Sequence, residues 1–242
     1  MTYLTIADEP QTTTVISTRA AGSMGFGALD MAENRSRLFD QLKIRADSVC
    51  VCRQVHGSDI VRAGAWNAGA GSLDAGDAPE GDGWITDTPG VVLGILTADC
   101  PAVILSDGKH LAAVHASWRS IISGICEKTL GRLEQDLGAD PGRLYAQICP
   151  SVCRSCYEVQ EDVAQQFRAR YPRIPDMVTR SDRRIFLGLR EVIGAILETG
   201  GVQRKRIRQP DDCSSCCEDL FFSYRRDGGD CGRQLVLAWI KR

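Results

Sequence analysis

The sequence predicts an α+β fold, with mixed β-sheets and flanking helices. Two observations carry that expectation. Short β-rich runs and amphipathic segments are mixed along the chain, yet few of them form the strand–helix–strand units of a doubly wound parallel sheet. Three apolar runs also follow one another closely, at Val91–Thr97, Ala102–Leu105 and Leu111–His115. The chain has 242 residues, 43% hydrophobic and 25% charged, which is ordinary globular composition. It is read as a single domain over 1–242.

Taken in order, Val15–Thr18 and Val49–Cys52 are short β-rich runs. Asn34–Ile44 reads as a short helix through Leu38, Leu42 and Ile44. Residues 64–83, rich in Gly, Ala and Asp, read as a long surface loop, either a lid or a solvated excursion. Asp107-Gly108 favours a tight hairpin between the second and third apolar runs. Ser120–Gly138 is the clearest helix, with Ile122, Ile125, Cys126, Leu130, Leu133 and Leu137 on one face and Gly138 as its C-terminal cap. Leu144–Cys149 reads as a strand, Glu158–Tyr171 as a helix stopped by Pro172, and Leu189–Thr199 as a helix ended by Gly200-Gly201. Phe221–Tyr224 and Gln234–Ile240 read as late strands.

Charge and composition exclude several functions. The net charge is −2, so no global field gathers nucleic acid or an anionic membrane. The longest apolar stretch, near Val91–Ala98, falls far short of the roughly 20 residues of a membrane helix. Residues 1–10 lack the basic and apolar regions of a secretory signal. A soluble cytoplasmic protein is expected, whose eleven cysteines stay reduced and, being odd in number, cannot all pair within one chain. Arg204-Lys205-Arg206 reads as a solvated basic loop.

Against those eleven cysteines stand only three histidines, His56, His110 and His115. Cys100 lies where a strand ends and the chain turns, and His115 ends the next strand but one. If the hairpin pairs as read, the two come from neighbouring strand ends. A Cys beside a His is either a nucleophile with its base or a pair of metal ligands. His56, after the strand Val49–Cys52, makes a third candidate, and a three-ligand set with an open position is the catalytic form of a zinc site. His115-Ala116-Ser117-Trp118-Arg119-Ser120 runs from a strand into a helix start, where backbone amides and Arg119 suit an anion. Asp99 and Asp82 are candidate proton shuttles.

Cys153-x-x-Cys156 and Cys213-x-x-Cys216 have the spacing of a four-thiolate zinc site. With 56 residues between the pairs and no obvious zinc knuckle around either, burial as small apolar residues is the simpler reading.

Gln54-Val55-His56-Gly57, Thr97-Ala98-Asp99-Cys100, His115-Ala116-x-Trp118-Arg119, Cys156-Tyr157-Glu158-Val159 and Phe221-Phe222-Ser223-Tyr224-Arg225-Arg226-Asp227-Gly228 occur in that order, with Thr18-Arg19 and Asn34-Arg35 before them. On these motifs the chain closely resembles the YfiH family, also called DUF152 or laccase-domain proteins. The resemblance implies the YfiH-like fold, akin to that of cysteine hydrolases. It implies zinc held by His56, Cys100 and His115, with copper as an adventitious occupant. It further implies phosphorolysis of adenosine, inosine and methylthioadenosine, with adenosine deamination as a side activity. The partners would then be nucleoside and phosphate, with Arg119 and Arg19 as phosphate-binding candidates, and neither nucleic acid nor membrane. The alternative is a Cys-His hydrolase, Cys100 as nucleophile and His115 as base, cleaving an amide in muropeptide precursors. A binding protein without turnover is a further reading. A multicopper oxidase needs more histidines than the one that would remain, His110. Where the family has glycines, this chain has Ser117 and Ser120, two side chains that would narrow or reshape the anion site.

Overall fold

The three apolar runs divide between two sheets. The structure, a computed structural model, describes residues 1–9 and 11–241. A five-stranded sheet has the order β1 (Tyr3–Glu9), β2 (Thr12–Ser17), β14 (Gln234–Ile240), β6 (Val92–Thr97), β3 (Val49–Val51). A six-stranded sheet has the order β13 (Ile207–Arg208), β9 (Tyr145–Ile148), β7 (Ala102–Ser106), β8 (Leu111–His115), β5 (Gly83–Thr86), β4 (Ile60–Arg62). A small third sheet orders β10 (Glu158–Val159), β12 (Arg184–Leu187), β11 (Val178–Ser181). Most pairs are antiparallel, but β3–β6, β4–β5 and β13–β9 are parallel, so the sheets are mixed as expected.

Alternation along the strands makes the layers. Leu93 and Ile95 of β6, with Val236 and Ala238 of β14, share one apolar cluster with Ala102 and Ile104 of β7 and Leu111 and Ala113 of β8. That cluster lies between the two sheets. The intervening residues of β7 and β8, Val103, Leu105, Ala112 and Val114, face a second cluster built with α3 (Ile125–Leu137), α4 (Glu161–Arg170) and α5 (Leu189–Thr199). Val92, Leu235 and Leu237 face a third, with Leu38 and Phe39 of α1 (Met31–Leu42). Two sheets thus stack between outer helices, and strands buried on both faces read as continuous apolar runs. Each large side chain so buried contributes about 1.5–3 kcal/mol.

The β7–β8 hairpin forms as read, with Ala102 opposite His115. Four expectations are corrected. The helix over 120–138 is two helices, α2 (Trp118–Ile122) and α3, because Gly124 takes φ +81° and turns the chain between them. The helix over 158–171 begins only at Glu161, because Glu158 and Val159 pair with Phe186 and Ile185. Phe221–Tyr224 is not a strand: Ser223 caps a short helix, α6 (Tyr224–Asp227), by accepting from the Arg226 amide. Residues 64–83 are tied down rather than loose. Val51 N donates to Ala70 O at 2.8 Å, and the fully buried Arg35 donates to the Gly71 and Ser72 carbonyls at 2.7 and 2.8 Å.

Candidate active site

Two crossovers between the sheets make the site. The chain leaves β3 of the first sheet and enters β4 of the second through residues 52–59, which hold His56. It makes the same transfer from β6 to β7 through residues 98–101, which hold Cys100. Since β3 and β6 are parallel, both crossovers leave the same end of the sandwich. His115 ends β8, opposite the first residue of β7, and joins them there. Donor atoms of His56, Cys100 and His115 lie within 4.8 Å of one another.

The backbone is bent to achieve this. His56 has φ +59° and Asp99 φ +88°, conformations uncommon outside glycine. Each bend is held by a buried carboxylate. Asp82 accepts from the amides of Val55, His56 and Gly57 at 3.1, 3.0 and 2.7 Å, and from His115 Nδ1 at 2.8 Å. It therefore shapes the His56 turn and leaves Nε2 of His115 facing the cluster. Burial pushes the Asp82 carboxyl up, but His115 and the Gly57 and Val55 amides outweigh this and hold it below the usual range. Asp99 accepts from Ser214 Oγ at 2.6 Å, Ser223 Oγ at 3.0 Å and Arg225 N at 2.6 Å. Both carboxylates are engaged in holding the backbone and side chains around the trio.

Cys100 and His115 bias one another. Burial raises the thiol, but the charge and hydrogen bond of His115, joined by His56, bring it down to about 6. Burial lowers His115, but Cys100 and Asp82 raise it to about 9. Each partner therefore favours the charged form of the other, thiolate beside imidazolium. The rings of His56 and His115 meet edge to face, 5.1 Å apart.

The trio opens into a cavity of about 1210 Å³. Arg119 is exposed and stacks over Trp118 at 4.4 Å, and both line it. So do Tyr157, Phe222 and Arg225, with the Arg225 guanidinium 5.1 Å from the Tyr157 ring. Reasoning from residue chemistry missed these last three; their only signal was membership in the quoted motifs. Arg19 does not line the cavity: its guanidinium lies 3.5 Å from Asp227 and over the Phe222 ring. No residue of 64–83 lines it, which removes the lid reading.

The two serines turn inward. Ser117 and Ser120 are buried, their hydroxyls 2.6 Å apart, and Ser117 Oγ accepts from the Ser120 amide at 3.1 Å. Ser117 caps α2 and also lines the cavity, whereas Ser120 does not line it. That helix is only five residues long, and Arg119 in its first turn is exposed at the cavity.

Two N donors and one S donor, with a carboxylate fixing one imidazole, fit a borderline-soft cation such as zinc. His110 cannot join them: it sits in the turn at the far end of the β7–β8 hairpin, its Nδ1 3.0 Å from Asp107.

The chain is 37% identical over 217 residues to a purine nucleoside phosphorylase of Deinococcus radiodurans, covering 88% of this chain and 78% of that one. It is 31% identical over 226 residues to adenosine deaminase RL5 of an unknown prokaryotic organism, covering 90% and 85%. The fold matches the crystal structure of the hypothetical protein YfiH of Bacillus licheniformis with a TM-score of 0.92 at 25% identity, over 99% of this chain and 97% of that one. Residues 23–241 match the family model described as multi-copper polyphenol oxidoreductase laccase, and with these relatives the chain belongs to that family, the YfiH or DUF152 proteins.

Proposed function

We propose that this protein is a zinc-dependent purine nucleoside phosphorylase acting on adenosine, inosine and methylthioadenosine, with adenosine deamination as a side activity. The observation that carries this is the convergence of His56, Cys100 and His115 at the base of a cavity lined by both aromatic and cationic side chains. Relatives named purine nucleoside phosphorylase and adenosine deaminase support the same reading.

In this reading His56, Cys100 and His115 hold the metal, and Asp82 fixes the tautomer of His115. Bound there, zinc supplies a Lewis acid with an open position. Arg119 and Arg225 bind phosphate and steer it toward the ribose. Trp118, Tyr157 and Phe222 offer flat apolar surface to the purine. A phosphate oxygen bonds to the anomeric carbon as the bond to the base nitrogen breaks, and the purine leaves with its electron pair. A multicopper oxidation is disfavoured by the donor set, because the trio uses two of three histidines and His110 is remote.

The test is metal analysis beside a nucleoside-plus-phosphate assay, on the wild type and Cys100→Ala. Phosphate-dependent release of adenine or hypoxanthine, lost in the variant together with the metal at this site, is expected. Zinc-loaded wild type that releases no base overturns the reading.

The thiolate–imidazolium pair favours a second reading, a Cys-His hydrolase cleaving an amide in muropeptide precursors. It requires the metal-free enzyme to be active and Cys100 alkylation to abolish that activity. Activity that returns only with zinc removes it.

A further inference from the structure

A second group of ligands lies beside the site. The sulfurs of Cys153, Cys156, Cys213 and Cys216 all lie within 4.8 Å of one another, although 56 residues separate the two pairs. Simple burial does not account for them. Cys50, Cys52, Cys126 and Cys149 are buried in the apolar clusters, whereas of the tetrad only Cys213 is buried, Cys153 and Cys156 being half-buried and Cys216 exposed. Four thiols thus converge from the edge of the core out to the surface.

The backbone is built around them. Cys153 precedes a tight turn over Arg154–Cys156. Cys213 begins another, closed by Cys217 N donating to Cys213 O at 2.8 Å. Ser151 and Cys213 pair as a β-bridge, which sets the two turns side by side. The Cys153 amide donates to Cys213 Sγ at 3.2 Å, a bond that a thiolate accepts better than a thiol. Arg190, buried, donates to the carbonyls of Ser151 and Asp212, just ahead of each pair. Arg226 donates to the carbonyls of Ser214 and Ser215, between Cys213 and Cys216, at 3.1 Å each. Two fixed cations thus hold the arms from which the thiols project.

The spacing of the sulfurs suits a metal and is not that of a formed disulfide. Cys156 Sγ and Cys216 Sγ are 3.4 Å apart, well beyond the S–S bond of about 2.05 Å. Metal–sulfur bonds of about 2.3 Å in a tetrahedron put neighbouring sulfurs about 3.8 Å apart, within the spread of this cluster.

We propose that Cys153, Cys156, Cys213 and Cys216 bind a zinc ion in a closed, structural tetrathiolate site, separate from the trio. The site joins two walls of the cavity. Tyr157 follows Cys156 directly, while the chain beyond Cys216 carries Phe222 and Arg225. Ser214, between two of the ligands, donates to Asp99, the neighbour of Cys100. The zinc acts as a clip that holds these segments against the crossover, and takes no part in the reaction.

The test uses the full chain carrying Cys100→Ala, which removes the trio as a metal site. Purified from zinc-containing medium, this variant should retain about one zinc per chain. Exchanged into cobalt, it should show the intense thiolate-to-metal absorption of a tetrathiolate centre. Adding Cys216→Ser should abolish both signals, and should lower the Tm in zinc. If that second variant does not fold, alkylation of Cys100→Ala itself serves: zinc should protect four thiols, and chelation should expose them. Folded Cys100→Ala without zinc overturns the proposal, as does a Cys156–Cys216 disulfide in freshly prepared protein, or iron in place of zinc.

Discussion

The two ligand clusters share an ingredient and differ in everything that surrounds it. The trio mixes two imidazoles with one sulfur, lies at the base of a large cavity, and is positioned by buried carboxylates that bend the backbone at His56 and Asp99. The tetrad is all sulfur, sits on two tight turns held by arginines, and none of its members lines the cavity. Three donors leave a position for a reactant, while four close the shell. Strained backbone accompanies the open site and relaxed turns the closed one, as expected if strain is tolerated where chemistry needs it. The contrast between the two clusters therefore lies in ligand count and access, not in the presence of cysteine.

The sharpest way to break the contrast is to remove one ligand from each cluster. Cys100→Ala should reduce base release by about a thousandfold or more, since a Lewis acid is worth several kcal/mol in the transition state. The fold should persist, as read by circular dichroism. Cys216→Ser should do the reverse: a lower Tm in zinc, with turnover reduced only about as far as the cavity walls loosen. Equal loss of turnover in the two would erase the distinction between an open and a closed site.

Next in size is the carboxylate behind the trio. Asp82→Asn keeps the shape but puts an amide where four N–H groups now donate. Loss of such an outer partner costs about 10–100-fold in metal affinity or activity. Titration with a metal indicator should show that loss at the trio and none at the tetrad. An unchanged trio affinity would mean that Asp82 serves the turn alone.

How much of this was legible in the sequence follows from range. His56, Cys100 and His115 each fall just beyond or at the end of an apolar run, and strand ends are where side chains can meet a cleft. The hairpin supplied the one long-range pairing needed to bring Cys100 to His115. That β6 and β7 belong to different sheets was not legible, because strands buried on both faces carry no alternation to show which sheet they join. Asp82 and Asp99 read as proton shuttles because an isolated carboxylate looks reactive; only tertiary structure reveals that amides and hydroxyls occupy them. The tetrad was legible as spacing alone, since a β-bridge between Ser151 and Cys213 is what closes the gap of 56 residues.

The pH response of the metal-free protein sharpens the trio further. A thiol brought down to about 6 stays thiolate until the pH falls through that value, while His115, raised to about 9, keeps its proton until the pH rises past it. Iodoacetamide should therefore modify Cys100 with a rate that climbs through about pH 6, two to three units below an ordinary thiol. In His115→Ala the midpoint should move up, because the partner that lowers it is gone. Peptide mapping of the alkylated site reads this directly. A midpoint near that of a free thiol in the parent protein would remove the ion pair.

The smallest expected effect concerns Ser117 and Ser120 at the start of α2. Ser117 lines the cavity and Ser120 does not, so a role there would show as a changed phosphate affinity in Ser117→Gly. Their burial and mutual hydrogen bond give both a local duty at the start of α2 as well. An N-cap serine replaced by alanine costs about 1 kcal/mol, and by glycine only a few tenths. Ser117→Ala should thus lower stability in urea by about 1 kcal/mol, with Ser117→Gly closer to the parent, while the phosphate KM stays put in both. The α2 helix begins three residues after His115, so a KM shift without a stability change would mean that capping and catalysis are coupled at this turn, and that the contrast between shaping and reacting groups fails where the two lie closest together.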